Sequence, residues 1–167
     1  MKHTISVLVE NHAGVLSHIS GLFGRRGFNI ESLAVGVTED KAVSRMTIVA
    51  DGDERTIEQI EKQLNKLIDV IKVRVFAEGE VISRELALIK VTATQSQRAE
   101  VMNILKVMDA RVVDLSKNTL TAEICAESGR VDQTVELLRP YKIKEVARTG
   151  TVALQKSGDG DNALNLD

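Results

Sequence analysis

Apolar and polar positions in the first half of the chain predict a strand, a helix, two strands, a helix and a final strand. The first strand alternates Ile5, Val7 and Val9 with mostly polar neighbours, which is typical of a half-buried strand. From Val15 onward, apolar residues recur at i, i+1, i+4, i+7 and i+8, which predicts one buried stripe on a helix that ends at Gly27. The four predicted strands are residues 4–10, 28–37, 43–50 and 70–76.

Three local signals refine these elements. The apolar residues switch from one face of the predicted strand to the other between Ile30 and Leu33, so a bend or bulge is expected there. Asp53 precedes the second helix and is predicted to cap it. The buried stripe of that helix is predicted to consist of Ile57, Ile60, Leu64, Leu67 and Ile68, and the core face of the last strand of Ile71, Val73 and Val75.

The second half repeats the same order of elements, with little residue-by-residue identity to the first. Its first helix is predicted to be capped by Ser96, and its second helix, around Val131, to stop at Pro140. A tight turn at Lys117 and Asn118 separates two strands. The predicted strands are residues 85–93, 111–116, 119–126, 143–149 and 151–155.

The fold class that follows is α+β, with two tandem ferredoxin-like βαββαβ units. The predicted domains are residues 1–77 and 78–156, followed by a polar, glycine-rich tail at 157–167 that is expected to be mobile.

Composition narrows the functional class. Of the 167 residues, 43% are hydrophobic and 2% aromatic, so the core must be aliphatic. The formal net charge of −2 gives no general attraction to nucleic acid or to an anionic membrane. A bilayer span needs about 20 apolar residues in a row, and the chain has no such run and no signal-peptide pattern at its start. The single cysteine excludes an internal disulfide, so a cytoplasmic protein is expected.

The polar stretch between the first strand and the first helix is the candidate binding element. A helix N-terminus presents unpaired N–H groups and a partial positive charge, which together favour an anion. Gly14 lacks a Cβ that would hinder a ligand, and the Asn11 amide offers both donors and acceptors. The same residues also suit a simple turn in which Asn11 caps the helix, and spacing alone leaves both interpretations open.

The sequence gives little indication of a metal, catalytic or RNA-binding site. His3, His12 and His18 do not fall at metal-ligand spacing, so they are interpreted as solvated or capping residues, and no metal site is predicted. Cys125 has no histidine nearby in sequence and is interpreted as a passive thiol. No paired nucleophile and base and no cofactor fingerprint are present, so no catalytic residue is predicted. An RNA-binding module would need aromatic side chains on the open sheet face, and strands 4–10 and 43–50 supply none.

Several separated blocks carry a family resemblance. The stretch at residues 9–30 resembles the ACT domain, a regulatory amino-acid-binding module. The blocks GLFGRRGFNIESLAVG, SRMTIV, QLNKLIDVIKV and RELALIKV resemble, in order, the small regulatory subunits of acetolactate synthase, also called acetohydroxyacid synthase, over residues 2–156. The alternative is an ACT-type sensing module that regulates another enzyme of amino-acid metabolism.

The resemblance implies a regulatory role in the biosynthesis of valine, isoleucine and leucine. The family's catalytic subunit carries thiamine diphosphate, magnesium and often FAD, so no cofactor is expected in this chain. The small subunit raises the activity of that subunit and confers feedback inhibition, usually by valine. ACT domains of this kind pair into a homodimer with an eight-stranded sheet, and the effector lies at the pair interface.

The resemblance also implies an effector site. The family's binding loop matches Asn11, Ala13, Gly14, Val15 and Leu16, and its facing asparagine, contributed by the partner protomer, matches Asn29 beside Ile30. The corresponding loop of the second unit, residues 93–96, has no glycine. No amino-acid site is therefore predicted there, and dimerisation or docking on the catalytic subunit is the expected role of the second unit.

Overall fold

A computed structural model describes residues 1–157 and divides the chain into two compact units. One unit comprises Met1–Ile82 together with residues 153–157, and the other comprises Ser83–Val152. Most of the tail that the sequence predicts to be mobile, residues 158–167, lies outside the described residues. No helix within residues 1–157 is long and apolar enough to cross a membrane.

The first unit is a four-stranded antiparallel sheet with two helices. Strand order across the sheet is β2-β3-β1-β4, which is the ferredoxin-like arrangement expected from the predicted order of elements. The elements are β1 (Lys2–Glu10), α1 (Val15–Arg26), β2 (Ile30–Val37), β3 (Val43–Asp51), α2 (Glu54–Leu64) and β4 (Val70–Val75).

An aliphatic core joins both helices of the first unit to one face of the sheet. Ile5, Val7 and Val9 of β1 belong to this core, as the alternation predicts, but Ser6 and Leu8 on the opposite face are also buried, so the prediction of a half-buried strand is wrong. Phe23 on α1 is fully buried and meets Phe28 edge to face, with ring centroids 6.1 Å apart. Each fully buried aliphatic side chain stabilises the fold by about 1.5–3 kcal/mol. The fully buried large side chains of the first unit are Ile5, Ile19, Phe23, Met46, Ile48, Ile60 and Leu64.

The predicted helix signals in the first unit are confirmed. Gly27 ends α1 in the left-handed conformation, with φ 68°, and its N–H donates to the Phe23 and Gly24 carbonyls. The Asp53 carboxylate accepts the Thr56 N–H at 2.8 Å and so caps α2. The register of β2 against β3 shifts between Ile30 and Ser32, which is the predicted bulge.

Two predicted core positions are wrong, each for a local backbone reason. Helix α2 ends at Leu64, four residues before Ile68, whose side chain is 94% exposed in the turn that follows. In β4 a register shift opposite Leu8 and Val9 puts Val70 against the core and leaves Ile71 exposed. Sequence periodicity cannot place either the helix end or the bulge.

The second unit repeats the architecture of the first. The elements that follow β4 along the chain are β5 (Val81–Thr92), α3 (Arg98–Val107), β6 (Arg111–Leu115), β7 (Thr119–Ala126), α4 (Ser128–Leu138), β8 (Ile143–Arg148) and β9 (Val152–Gln155). The sheet of the second unit has the order β6-β7-β5-β8. A short 3-10 helix at Arg139–Tyr141 contains Pro140 and follows α4, so the helix ends where the proline predicts.

The predicted Ser96 cap on α3 is wrong. The N-cap residue is Gln97, and no described side chain caps this helix. Thr94 organises the turn instead, because its carbonyl accepts the N–H groups of Gln97 and Arg98, while its hydroxyl donates to the Gln97 side chain at 3.0 Å.

A buried charge pair also distinguishes the second unit. Glu85 on β5 is 3% exposed, and its carboxylate accepts a hydrogen bond from Arg148 on β8. The same guanidinium donates to Asp132 on α4 at 2.6 Å, so it ties the sheet to the helix above it.

Candidate functional site

The loop between β1 and α1 has a backbone that requires glycine. Gly14 is the N-cap residue of α1, with φ 93° and ψ −17°, in the left-handed region. A Cβ built on Gly14 would meet no heavy atom within 4 Å, so the space around it is open. The positive φ is therefore a sufficient structural reason for glycine here, independent of any ligand.

The N-terminus of α1 keeps its partial positive charge and its free N–H groups. No described side chain caps this helix, and its first turn carries no acidic residue, in contrast to Asp53 and Glu54 at the start of α2. The first backbone N–H groups of α1, from Val15 onward, have no partner within the helix. Together with the helix dipole, they form a place where a carboxylate would be stabilised.

Asn11 does not cap the helix, so the simple-turn interpretation of this residue is wrong. Its side-chain amide donates to the Lys41 carbonyl at 2.9 Å, and its backbone N–H donates to the Ala42 carbonyl at 2.8 Å. These bonds tie the loop to the turn between β2 and β3. Within the described residues the Asn11 side-chain oxygen has no hydrogen-bond partner, so it remains available as an acceptor.

The other predicted loop residues differ in how far their side chains are exposed to solvent. Ala13 is exposed, and the Leu16 side chain is 45% exposed on the first turn of α1. Val15 is 3% exposed and belongs to the hydrophobic core, so only its backbone faces the loop surface.

Asn29 and Ile30 are not brought to the loop within one chain. Asn29 is exposed and follows the C-terminal end of α1, whereas Gly14 precedes its N-terminal end. The helix has 12 residues, which at about 1.5 Å per residue separates its two ends by about 18 Å. The loop residues and Asn29 can therefore face one ligand only if a second copy of the chain supplies one of them.

Sequence reasoning missed a side-chain network beside this loop. Asp69, between α2 and β4, accepts hydrogen bonds on its two carboxylate oxygens from His12 Nε2 and His18 Nδ1, each at 2.9 Å. The two histidines are exposed, at 48% and 63%, as the sequence predicts, but they share one buried partner. Because Asp69 lies 57 and 51 residues away along the chain, no local sequence signal points to this contact.

The network shifts the pKa of two of its members. The hydrogen bond between His12 and the Ala13 carbonyl raises the pKa of His12, and the nearby Asp69 carboxylate raises it further. Hydrogen bonds from His18 and then His12 lower the pKa of Asp69. Asp69 is accordingly a carboxylate at neutral pH, held against the loop that precedes α1.

The loop before α3 has a different geometry. Its N-cap residue Gln97 has φ −94°, in the right-handed region, and none of residues 93–97 has a positive φ. The second unit therefore lacks the left-handed N-cap that opens the start of α1. The prediction that this loop binds no amino acid stays a prediction.

Comparisons with known proteins agree for both units. Residues 5–72 match the model of the acetohydroxyacid synthase small subunit-like ACT domain, and residues 84–157 match the model of the small subunit of acetolactate synthase. The second match covers a part of the chain that an ACT module alone would not explain. It therefore favours this family over an ACT module that serves another enzyme.

Individual relatives match almost end to end. A probable acetolactate synthase small subunit of Archaeoglobus fulgidus is 51% identical over 92% of this chain and 96% of its own length. The acetolactate synthase small subunit of Mycolicibacterium smegmatis is 47% identical over 96% and 95%. The crystal structure of the small subunit from Thermotoga maritima superposes with a TM-score of 0.88 at 37% identity, covering 95% of this chain and 99% of that one.

Proposed function

Because the chain belongs to the family of acetolactate synthase small subunits, we propose that it is a feedback sensor of branched-chain amino acid biosynthesis. It raises the activity of the catalytic subunit when it docks there, and it lowers that activity when valine binds. The condensation chemistry and its cofactors, thiamine diphosphate, magnesium and often FAD, reside on the catalytic subunit. The ACT unit carries the effector site, and the second unit serves dimerisation or docking.

The open start of α1 is the observation that carries this proposal. Gly14 holds a left-handed conformation, and no described side chain occupies the first-turn N–H groups. A free amino acid carries a carboxylate that suits those N–H groups. Its ammonium is a donor that suits the Asn11 side-chain oxygen.

Binding energy sets the expected selectivity. Burying an isopropyl group is worth about 2 kcal/mol, which separates valine from alanine by more than tenfold. One further methylene changes affinity much less, so valine is not expected to be sharply separated from isoleucine or leucine. Asn29 of a second copy completes the polar contacts, which makes the homodimer the binding species.

A subunit-mixing experiment tests the shared site. Gly14→Asp removes the loop half of each site, and Asn29→Ala removes the half that the partner supplies. Each homodimer should bind valine much more weakly than the wild type in titration calorimetry. Mixed dimers of the two variants should regain half of the wild-type stoichiometry, because one of their two sites is intact. Mixtures that bind no valine, or Asn29→Ala homodimers that bind normally, would overturn the shared site.

A further inference from the structure

Three donor atoms converge on one point beside the loop that precedes α1. Glu10 Oε2, His12 Nε2 and Asp69 Oδ1 all lie within 4.8 Å of one another. We propose that these three residues bind one divalent transition-metal ion with the preferences of zinc. The three residues are not among the proposed effector contacts, although His12 lies in the same loop, and the site does not depend on the proposed function.

The spacing of the donors fits a small four-coordinate ion. The distance from His12 Nε2 is 2.9 Å to Asp69 Oδ1 and 3.4 Å to Glu10 Oε2. Zinc holds nitrogen and oxygen ligands at about 2.0–2.2 Å, which puts neighbouring ligand atoms of a tetrahedron about 3.3–3.5 Å apart. Glu10 Oε2 and Asp69 Oδ1 lie within 4.8 Å of each other, so an ion is accommodated once the exposed Glu10 side chain adjusts, and water can complete the fourth position.

The imidazole of His12 is oriented by a contact outside the donor set. Its Nδ1 lies 3.1 Å from the Ala13 carbonyl, so that nitrogen carries the hydrogen and donates it. A metal ion would displace the Nε2 hydrogen that bonds to Asp69, and its loss leaves the Nε2 lone pair free to bind the ion. Metal-binding histidines in proteins are oriented by this kind of hydrogen bond from the second ring nitrogen.

Asp69 is equally well supported. It is 7% exposed, and the carboxylate oxygen that does not face His12 accepts a hydrogen bond from His18 at 2.9 Å. Its backbone carbonyl accepts the Glu10 N–H at 2.9 Å, so two of the three ligands are joined through the backbone. The backbone of these two ligands is therefore already ordered before a metal ion binds.

The charges of these side chains favour a cation at the point where the three donor atoms meet. Two carboxylates face one imidazole there, and a metal ion that replaces the Nε2 hydrogen can bind all three groups at once. A proton on His12 is the competing occupant, and it satisfies the carboxylates only by hydrogen bonds. One imidazole with two carboxylates is a donor set typical of zinc or cobalt, whereas calcium and magnesium prefer oxygen donors alone.

Cobalt titration of the untagged full-length chain tests the proposal. Without valine or catalytic subunit, Co²⁺ should bind at one ion per chain with the visible absorption of a four-coordinate complex, and Zn²⁺ should displace it. Glu10→Gln and His12→Gln should each weaken binding at least tenfold. His18→Gln should have a smaller effect, because His18 only supports Asp69.

Two controls separate ligation from a general loss of charge or of structure. Glu39→Gln removes an exposed carboxylate from the turn between β2 and β3 and should bind the metal as the wild type does. The ring ¹⁵N resonances of His12 should shift on addition of Zn²⁺ while those of His3 stay in place. Binding that does not saturate, or equal affinity in the wild type, Glu10→Gln and His12→Gln, would overturn the proposal. Because valine is absent throughout, failure of the effector proposal leaves this test unaffected.

Discussion

Replacing Gly14 by aspartate and by asparagine separates backbone strain from charge at the start of α1. Gly14 has φ 93°, a region that costs an ordinary L-residue about 1–2 kcal/mol but that Asn and Asp tolerate better than other residues. No atom lies within 4 Å of the new Cβ, so neither variant creates a steric clash. The two side chains have the same shape, which makes Asn the control for the charge of Asp.

The charge effect can be estimated from the geometry of a carboxylate held by the first-turn N–H groups. The carboxylate introduced by Gly14→Asp would lie about 5 Å from such a ligand, where repulsion between two unit charges amounts to about 1 kcal/mol in water and about 3 kcal/mol at an effective dielectric constant of 20. Gly14→Asp should therefore bind valine about 5- to 150-fold more weakly than Gly14→Asn. The aspartate should also stabilise α1 slightly, since it faces the positive end of the helix dipole.

Two assays measure this difference. Titration calorimetry gives the valine affinity of each variant, and inhibition curves of the reconstituted enzyme give the effect on feedback. Thermal melts should show both variants folded, with Gly14→Asp at least as stable as Gly14→Asn. Equal valine affinities for the two variants would refute the placement of the ligand carboxylate, and wild-type affinity in both would refute the site itself.

Three further predictions concern stability and coupling. Arg148→Met should lower the free energy of unfolding by about 2 kcal/mol in urea titrations, because it leaves buried Glu85 unpaired while Arg148 itself is partly exposed. The control is Arg139→Met, which removes an exposed ion pair and should change the free energy of unfolding by less than about 0.5 kcal/mol. Asp53→Ala should lower the melting temperature at neutral pH, whereas Asp53→Asn retains an acceptor for Thr56. Because the Thr56 hydrogen bond lowers the pKa of Asp53, this deficit should disappear as the pH falls through that lowered pKa. If valine weakens or strengthens the binding of this chain to the catalytic subunit, the catalytic subunit should change the affinity for valine by the same factor. The measurement is the valine affinity with and without the catalytic subunit, and an identical affinity in both states would exclude coupling.

Local sequence signals predict the elements of this fold well. The alternation in β1, the glycine after α1 and the Asp53 cap each act within a few residues, so they can be recognised along the chain. The errors at Ile68 and Ile71 arise where a turn and a bulge displace the periodic pattern, and no Gly or Pro marks either place.

The candidate site is less accessible to sequence reasoning, for a physical reason. Asn11 bonds to Lys41, and His12 bonds to Asp69, 30 and 57 residues away, and such contacts leave no trace in local periodicity. Gly14 illustrates a second difficulty. Glycine is favoured both where a ligand must approach closely and where the backbone is left-handed. Only the φ angle in the structure shows that the second reason applies at Gly14.

The length of α1 determines how an effector could act. A free amino acid is about the size of one residue, which spans at most about 3.6 Å along an extended chain, whereas the two ends of this helix are about 18 Å apart. A ligand that contacts both the Gly14 loop and Asn29 must therefore join two copies of the chain. In a two-fold symmetric pair each copy supplies both halves, so the pair holds two identical sites. Valine bound at the proposed site would stabilise the pair by mass action, and its effect on the catalytic subunit would pass through the geometry of that pair.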